Sequence, residues 1–144
     1  MAQVEKSALV PFSDQAMFDL VKDVDRYQEF LPWCSGSALL SHEGNRICGR
    51  IDIERLGVHQ SFSTCNVYDE PRRMDIELKD GPFQSLHGAW EFVGLREDAC
   101  KVILSLEFEF SNRLMDMAFG KVFHQIANTM VESFSKRARE VYGA

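Results

Sequence analysis

The central part of this chain alternates between hydrophobic and polar residues with a period of two. From about residue 37 to residue 110, apolar side chains recur at every second position, as in the run Ile51, Asp52, Ile53 and Glu54. Such alternation is typical of strands that bury one face and expose the other. Turn-forming residues interrupt it at positions 42–45, 69–71, 80–82 and 96–98. The pattern therefore predicts six strands joined as an antiparallel meander.

The segment before the meander predicts one strand and two short helices. Residues 3–9 have the pattern of a short strand, and Ser13 can accept hydrogen bonds from the first turn of a helix that follows. A second short helix is expected to begin at Asp23 or Asp25. It should end before Pro32, because proline disfavours helical geometry at the residue that precedes it.

The segment after the meander has helical periodicity. From Ser111 onward the apolar residues recur with a period of 3.6, and they form a stripe that continues to Val141. This stripe predicts a helix of about 30 residues, roughly 45 Å long. Gly120 lies inside it, where glycine costs about 1 kcal/mol relative to alanine. We therefore expect a kink or a break near this glycine.

One apolar sheet face and one apolar helix stripe must each be buried. The economical solution is a single α+β domain over residues 1–144, with the order β-α-α-β6-α and a curved antiparallel sheet gripping the long C-terminal helix. A curved sheet that holds a helix readily leaves a cavity between the two. The fold thus suggests that the protein binds a ligand in its interior.

Composition and charge exclude several classes of function. The chain has 144 residues, of which 45% are hydrophobic, and a formal net charge of −6. This charge argues against non-specific electrostatic binding to nucleic acid, so we expect no DNA partner. No secretory signal and no run of about 20 apolar residues is present, so we expect no transmembrane segment. The predicted location is the cytoplasm, or at most the periphery of the inner membrane.

Cysteine and histidine spacing gives no metal site and no catalytic motif. The cysteines are widely separated, and in a cytosolic chain the default is four reduced thiols that pack as small hydrophobes. No H-E-x-x-H, G-x-S-x-G, G-x-G-x-x-G or P-loop motif occurs. The acidic residues of the meander alternate with apolar ones and should point to solvent. We therefore predict a protein that is not an enzyme and that needs no cofactor. The four cysteines are Cys34, Cys48, Cys65 and Cys100.

Three motifs give the chain a family resemblance. They run from Leu20 to Cys34 (with Tyr27, Phe30, Leu31, Pro32 and Trp33), from Gly81 to Phe92, and from Phe108 through Arg137 to Gly143. With the order of elements, they resemble the START-like, or helix-grip, superfamily. Within it the chain is similar to the coenzyme-Q-binding and ribosome association toxin family of polyketide-cyclase-like proteins. The absence of a transit peptide is typical of bacterial members.

The resemblance implies two functions and does not choose between them. One is non-catalytic binding of ubiquinone or another isoprenoid lipid, in support of respiratory electron transport. The alternative is the toxin of a toxin–antitoxin pair, which binds the large ribosomal subunit and blocks its association with the small one. Such a toxin has an antitoxin protein as a further partner. The net charge of −6 opposes docking on an anionic ribosome, so it slightly favours the first function, that of a quinone carrier.

Residues that face one another across sheet and helix are candidates for lining a ligand cavity, although each could simply fill the core. Polar residues on the strand from 58 to 68 share a face with Val58 and Phe62, and would be buried if that face points inward. They could then bond to each other, to water or to quinone carbonyls. The full candidate set is Phe62, Trp90, Phe92, Leu104, Phe108, Phe119, Phe123, Ile126, Met130, Gln60, Thr64 and Asn66.

A second set of residues is a candidate for contacts with a partner. Trp33 could form a pocket rim or a packing plug, and the Gly81-Pro82-Phe83 loop could present an aromatic ring. Basic side chains are the candidates for contacts with ribosomal RNA, although the neighbouring acidic residues make much of the surface mixed in charge. The set is Trp33, Pro82, Phe83, Arg72, Arg73, Lys136 and Arg137.

Overall fold

Seven strands, two α-helices and one 3-10 helix follow one another in the predicted order within residues 2–143, the part of the chain that the computed structural model describes. The C-terminal helix is the longest element. The elements are β1 (Ala2–Val10), α1 (Asp14–Lys22), the 3-10 helix (Val24–Glu29), β2 (Cys34–Glu43), β3 (Arg46–Arg55), β4 (Val58–Asp69), β5 (Arg73–Asp80), β6 (Phe83–Arg96), β7 (Ala99–Phe110) and α2 (Arg113–Tyr142).

The strands form one antiparallel sheet in the order β1-β7-β6-β5-β4-β3-β2. Strands β2 to β7 pair with their sequence neighbours, as a meander requires. β1 adds to the far edge of β7, with Ala2 opposite Phe108 and Val10 opposite Cys100. α2 packs across the inner face of the sheet against β1, β7 and β4. The prediction of an α+β helix-grip fold is therefore confirmed.

The side chains alternate between the two faces of the sheet as their sequence pattern predicted. Ile51 of β3 and Ile76 of β5 point toward α2. Asp52 and Asp75, one residue away, lie on the outer face and pair with arginines of their own strands. The inner face therefore carries the core, and the outer face carries the charges.

Gly88 of β6 marks a close approach between two backbones. It lies opposite Leu106 of β7, and a Cβ atom at this position would lie 2.0 Å from the carbonyl oxygen of Ser105. Only a residue without a side chain fits there. Glycine inside a strand commonly marks such a close approach or a bend.

α2 runs unbroken from Arg113 to Tyr142, so the predicted break at Gly120 is wrong. The Asn112 side chain caps the helix by accepting from the Met115 amide at 2.8 Å. Phe119 and Phe123, on either side of the glycine, are buried. Burial of this stripe outweighs the propensity cost of one glycine, because packing supplies most of the stability of a protein helix.

The second short helix is a 3-10 helix that ends at Glu29, earlier than predicted. Its buried residue, Tyr27, donates its hydroxyl to the carbonyl of Val21 at the end of α1. Burial raises the pKa of this phenol well above its ordinary value of 10.0, and the nearby Asp23 carboxylate adds to the shift. A segment this short has too few residues for its period to distinguish the two helix types.

The prediction of four reduced thiols is wrong for one pair of cysteines. Cys48 and Cys65 are joined by a disulfide, because they occupy directly opposed positions of β3 and β4. Cys34 and Cys100 are free and buried, as expected of small hydrophobic side chains. Burial raises the pKa of Cys100 to about 11. The wide spacing in sequence concealed the pair, which depends on strand register.

Candidate functional site

An interior cavity lies between the inner face of the sheet and α2. Its volume is about 90 Å³. Strands β3 to β7 form one wall, α2 forms the other, and the end of α1 with the 3-10 helix closes one side. Most of the lining side chains are aliphatic or aromatic. A space of this kind suits an apolar molecule.

Eight of the predicted cavity residues line this space. They come from three strands and from α2, so the fold brings together residues that are far apart in sequence. These residues are Phe62, Thr64, Asn66, Trp90, Leu104, Phe123, Ile126 and Met130.

Four other candidates lie outside the cavity wall. Phe92 is buried beneath α1, with its ring centroid 5.9 Å from that of Phe18. Phe108 and Phe119 both pack on Phe123 and fill the core at one end of the sheet. Gln60 faces the same side as Thr64 but donates to the sulfur of Met115 at 3.6 Å. An aromatic pattern in the sequence cannot separate rings that fill a core from rings that border a void.

Several lining residues were not candidates on sequence grounds. Tyr27 enters the wall from the 3-10 helix, and Ile47, Gly49 and Ile51 enter it from β3. The period-two pattern of β3 places Ile51 on the inner face, so this residue had a usable signal. Gly49 had none, because it lines the space with its backbone alone.

Two polar atoms in the cavity wall are buried and have no hydrogen-bond partner. One is the indole Nε1 of Trp33, a donor, and the other is the amide Oδ1 of Asn66, an acceptor. Asn66 uses its Nδ2 to donate to the sulfur of Met74 at 3.5 Å. Buried polar groups are normally paired, so unpaired ones in a cavity wall mark places where a ligand or water would bind.

The two unpartnered residues are attached at opposite ends of the cavity. The carbonyl of Trp33 accepts from the amide of Glu54, next to the position where β3 pairs with Gln60 of β4. Asn66 lies six residues further along β4, which corresponds to about 20 Å of extended strand. One small polar group could not reach both.

The predicted basic contact residues are largely neutralised by neighbouring carboxylates. Arg72 contacts Asp69 at 2.8 Å, and Arg137 contacts Glu29 at 2.9 Å while its guanidinium stacks on Phe30. The other predicted arginine, of β5, pairs with two acids, on its own strand and on β6. These arginines therefore offer little free charge to a polyanion.

Lys136 differs from these arginines, because within residues 2–143 it has no ion-pair partner. It is exposed on α2 and borders a surface groove that also includes Arg55 of β3. Trp33 and Ile126 border both this groove and the interior cavity, so they separate the two. We call it the Lys136 groove; its residues are Pro32, Trp33, Arg55, Gln125, Ile126, Thr129, Glu132, Ser133 and Lys136.

Two of the predicted contact residues are not available at the surface. The Trp33 side chain is buried, as a packing plug would be. Phe83 is also buried, and its ring stacks on Phe110 with centroids 5.2 Å apart. Pro82, just before it, is half-buried. The loop thus directs its aromatic ring into the core and not toward a partner.

Within the described residues, no group of three or more His, Cys, Asp or Glu side chains is arranged to hold a metal ion. Over the same residues, no helix combines the length and apolar character that crossing a membrane requires.

The chain matches known proteins over nearly its full length. Residues 10–135 match the family described as "Polyketide cyclase / dehydrase and lipid transport". A Vibrio cholerae protein named "Ribosome association toxin RatA" is 46% identical over 143 residues, which cover 99% of each chain. An Escherichia coli protein named "Persistence and stress-resistance toxin PasT" is 41% identical over all of this chain and 91% of its own.

More distant matches extend the comparison. "Coenzyme Q-binding protein COQ10 homolog B, mitochondrial" from Xenopus laevis is 28% identical over 98% of this chain and 59% of its own. Among solved structures, TTHA0849 from Thermus thermophilus superposes with a TM-score of 0.80 at 21% identity, covering 96% of this chain and 95% of its own. The Zhui aromatase/cyclase from Streptomyces superposes with a TM-score of 0.81 at 13% identity, covering 99% and 96%. At such identities the two structures share the fold with this chain.

Proposed function

The chain belongs to the polyketide cyclase / dehydrase and lipid transport family, and we propose that it is a ribosome association toxin of the RatA type. One observation carries this proposal: 46% identity with the Vibrio cholerae protein of that name over 99% of both chains. The match to the coenzyme-Q-binding homologue is much weaker, at 28%. The relatives therefore favour the ribosome over the quinone carrier as the first function.

In this proposal the protein is a non-catalytic binder in the bacterial cytoplasm. Its partner is the large ribosomal subunit, whose association with the small subunit it blocks, and an antitoxin protein restrains it. The names of the sequence relatives describe toxins and binding proteins, whereas the cyclase activity belongs to a structural neighbour at 13% identity. Fold likeness alone does not transfer an activity.

The Lys136 groove is the contact surface that we propose for the ribosome. Docking on RNA phosphates needs cations that are free to pair with them. Arg72 and Arg137 are held by acids, whereas Lys136 is exposed and without an ion-pair partner among residues 2–143. Arg55 adds a second guanidinium to the groove, and its Nε is buried without a partner.

Sucrose-gradient profiles after overexpression test this function. We expect separated subunits to accumulate at the expense of whole ribosomes. Lys136→Glu should abolish the effect, and Lys101→Glu, the same charge change at an exposed position on β7, should leave it intact. Binding to purified large subunits should weaken steeply with salt. Unchanged ribosome profiles with well-expressed wild-type protein would contradict the proposal.

We also propose a second function, the binding of an apolar ligand in the interior cavity, with ubiquinone or another isoprenoid lipid as the expected class. The largely apolar lining of this cavity favours it. The two functions use different parts of the molecule and are compatible.

Lipid extraction and mass spectrometry of protein purified from cells test the second function. We expect a co-purifying lipid that is lost when the cavity is filled by Ala127→Leu, a substitution on the α2 wall. Thr64→Val preserves side-chain volume at the opposite wall and should retain the lipid. Absence of any extractable lipid, together with failure to bind added isoprenoids, would contradict it.

A further inference from the structure

Asn66 presents an acceptor to the interior cavity that nothing in the protein satisfies. Its Oδ1 is buried and without a partner, although it lies in a wall made mainly of apolar side chains. Its neighbours in the sheet are Ile47 of β3 and Ile76 of β5, which have no polar side-chain atoms. Thr64, two residues away on the same face, makes no hydrogen bond to it.

The sulfur of Met74 determines which atom of the Asn66 amide has no hydrogen-bond partner. Nδ2 donates to this sulfur at 3.5 Å, and a thioether can only accept. Rotating the amide by 180° would turn Oδ1 toward the sulfur, where it would face a second acceptor. The oxygen is therefore the atom that is free to bind a ligand.

Nearby cations and hydroxyls do not supply the missing donor. Lys22 also borders the cavity, but its ammonium group lies 5.1 Å from the ring centroid of Tyr68, over the ring face. The Tyr27 hydroxyl donates to the carbonyl of Val21. The indole of Trp33 is attached at the other end of the cavity. A donor must therefore come from the molecule that occupies the space.

We infer that Asn66 determines ligand specificity by accepting a hydrogen bond, so that the cavity selects apolar molecules whose head carries a hydroxyl group. A phenol, a hydroquinone or an alcohol can donate to Oδ1, whereas the quinone or ether of the same skeleton can only accept. This inference rests on the proposed binding of an apolar ligand. A site built around a polar partner discriminates strongly against the analogue that lacks it, because the buried group is then left unpaired.

Matched pairs of ligands test the inference on the full chain after removal of any bound lipid. One pair is a short-chain prenyl hydroquinone and its quinone, compared without oxygen by equilibrium dialysis. The other is a prenyl phenol and its methyl ether, which are not interconverted by oxidation. We expect the hydroxyl member to bind at least about tenfold more tightly in each pair.

Two variants locate the effect. Asn66→Leu has a similar size and should reduce the preference to less than about twofold, chiefly by weakening binding of the hydroxyl member. Gln60→Leu, the matched amide-to-leucine change on the same strand but outside the cavity wall, should leave the preference unchanged. Equal binding of both members to the wild type, or a preference that survives Asn66→Leu, would overturn the inference and leave apolar-ligand binding intact. Failure of every probe to bind would overturn both.

Discussion

Cys48 of β3 lies directly opposite Cys65 of β4, and their sulfur atoms are joined on the outer face of the sheet. The side chains adjacent to them in sequence, such as those of Ile47 and Thr64, point the other way and line the interior cavity. The disulfide therefore ties together two of the strands that form the sheet wall of the cavity.

Reduction of this disulfide should destabilise the protein by up to about 3 kcal/mol, because the bond closes a loop over a sequence separation of 17 residues. Urea unfolding with and without reductant measures the difference, and alkylation followed by mass spectrometry reports the redox state. The double variant Cys48→Ala/Cys65→Ala should not respond to reductant. Identical unfolding curves for the verified oxidised and reduced forms would contradict the prediction.

Gly88→Ala should be among the most damaging single substitutions on the sheet. Its new methyl group would lie 2.0 Å from the carbonyl oxygen of Ser105, so β6 and β7 would have to separate. We expect a loss of about 3 kcal/mol or more in the free energy of unfolding. Gly57→Asn is the matched control, since this turn glycine has open space around it and asparagine tolerates its positive φ of 80°. Equal stability of the two variants would be inconsistent with this account.

The raised pKa of Tyr27 predicts a loss of stability at alkaline pH. The unfolded chain releases the phenol proton near pH 10.0, whereas the folded state retains it because the ring is buried. The stabilising contribution is complete below pH 10.0 and falls as the pH rises above it. Tyr27→Phe should be less stable at neutral pH, since it loses the bond to Val21, and its stability should fall less between pH about 8 and pH about 11. Parallel pH profiles for both proteins would refute the prediction.

Arg73→Ala should change stability by no more than about 1 kcal/mol. Its ion pair with Glu91 joins side chains that are 46% and 40% exposed, and such surface pairs contribute little. Phe134→Ala should cost about 3–5 kcal/mol, because this ring is fully buried against Trp90 and Tyr27. Thermal or urea unfolding of the two variants compares the outer and inner faces of the sheet. A larger loss of stability in Arg73→Ala than in Phe134→Ala would contradict the placement of the core on the inner face.

The architecture could be predicted from the sequence because two periodicities divide the chain cleanly. The period of two over residues 37–110 predicted the meander, and the apolar stripe ending at Val141 predicted α2. The errors arose where local preference and tertiary packing compete. Gly120 has a poor helix propensity, yet the helix continues through it, with buried phenylalanines on either side. The disulfide depends on register between strands, which periodicity does not report.

The candidate site was harder to predict than the fold. Alternation put Gln60, Thr64 and Asn66 on one face of β4 without deciding which way that face points. In the structure Thr64 and Asn66 line the cavity, whereas Gln60 reaches a methionine sulfur on α2. Whether an inner-face ring borders a void depends on the shape of its neighbours, and Phe92 lies against α1 instead. Charge pairing is equally invisible in sequence, because Arg137 and Glu29 are 108 residues apart.

The pairing of β1 with β7 sets the order in which this protein can be completed during its own synthesis. Ala2 and Val10 leave the ribosome before their partners, Phe108 and Cys100, which follow about 100 residues later. At ordinary translation rates this is a delay of about 5–20 s. Through that interval the first strand has no neighbour in the sheet, and the outer edge of β7 does not yet exist. The sheet of the nascent chain thus reaches its complete form only after β7 has been made.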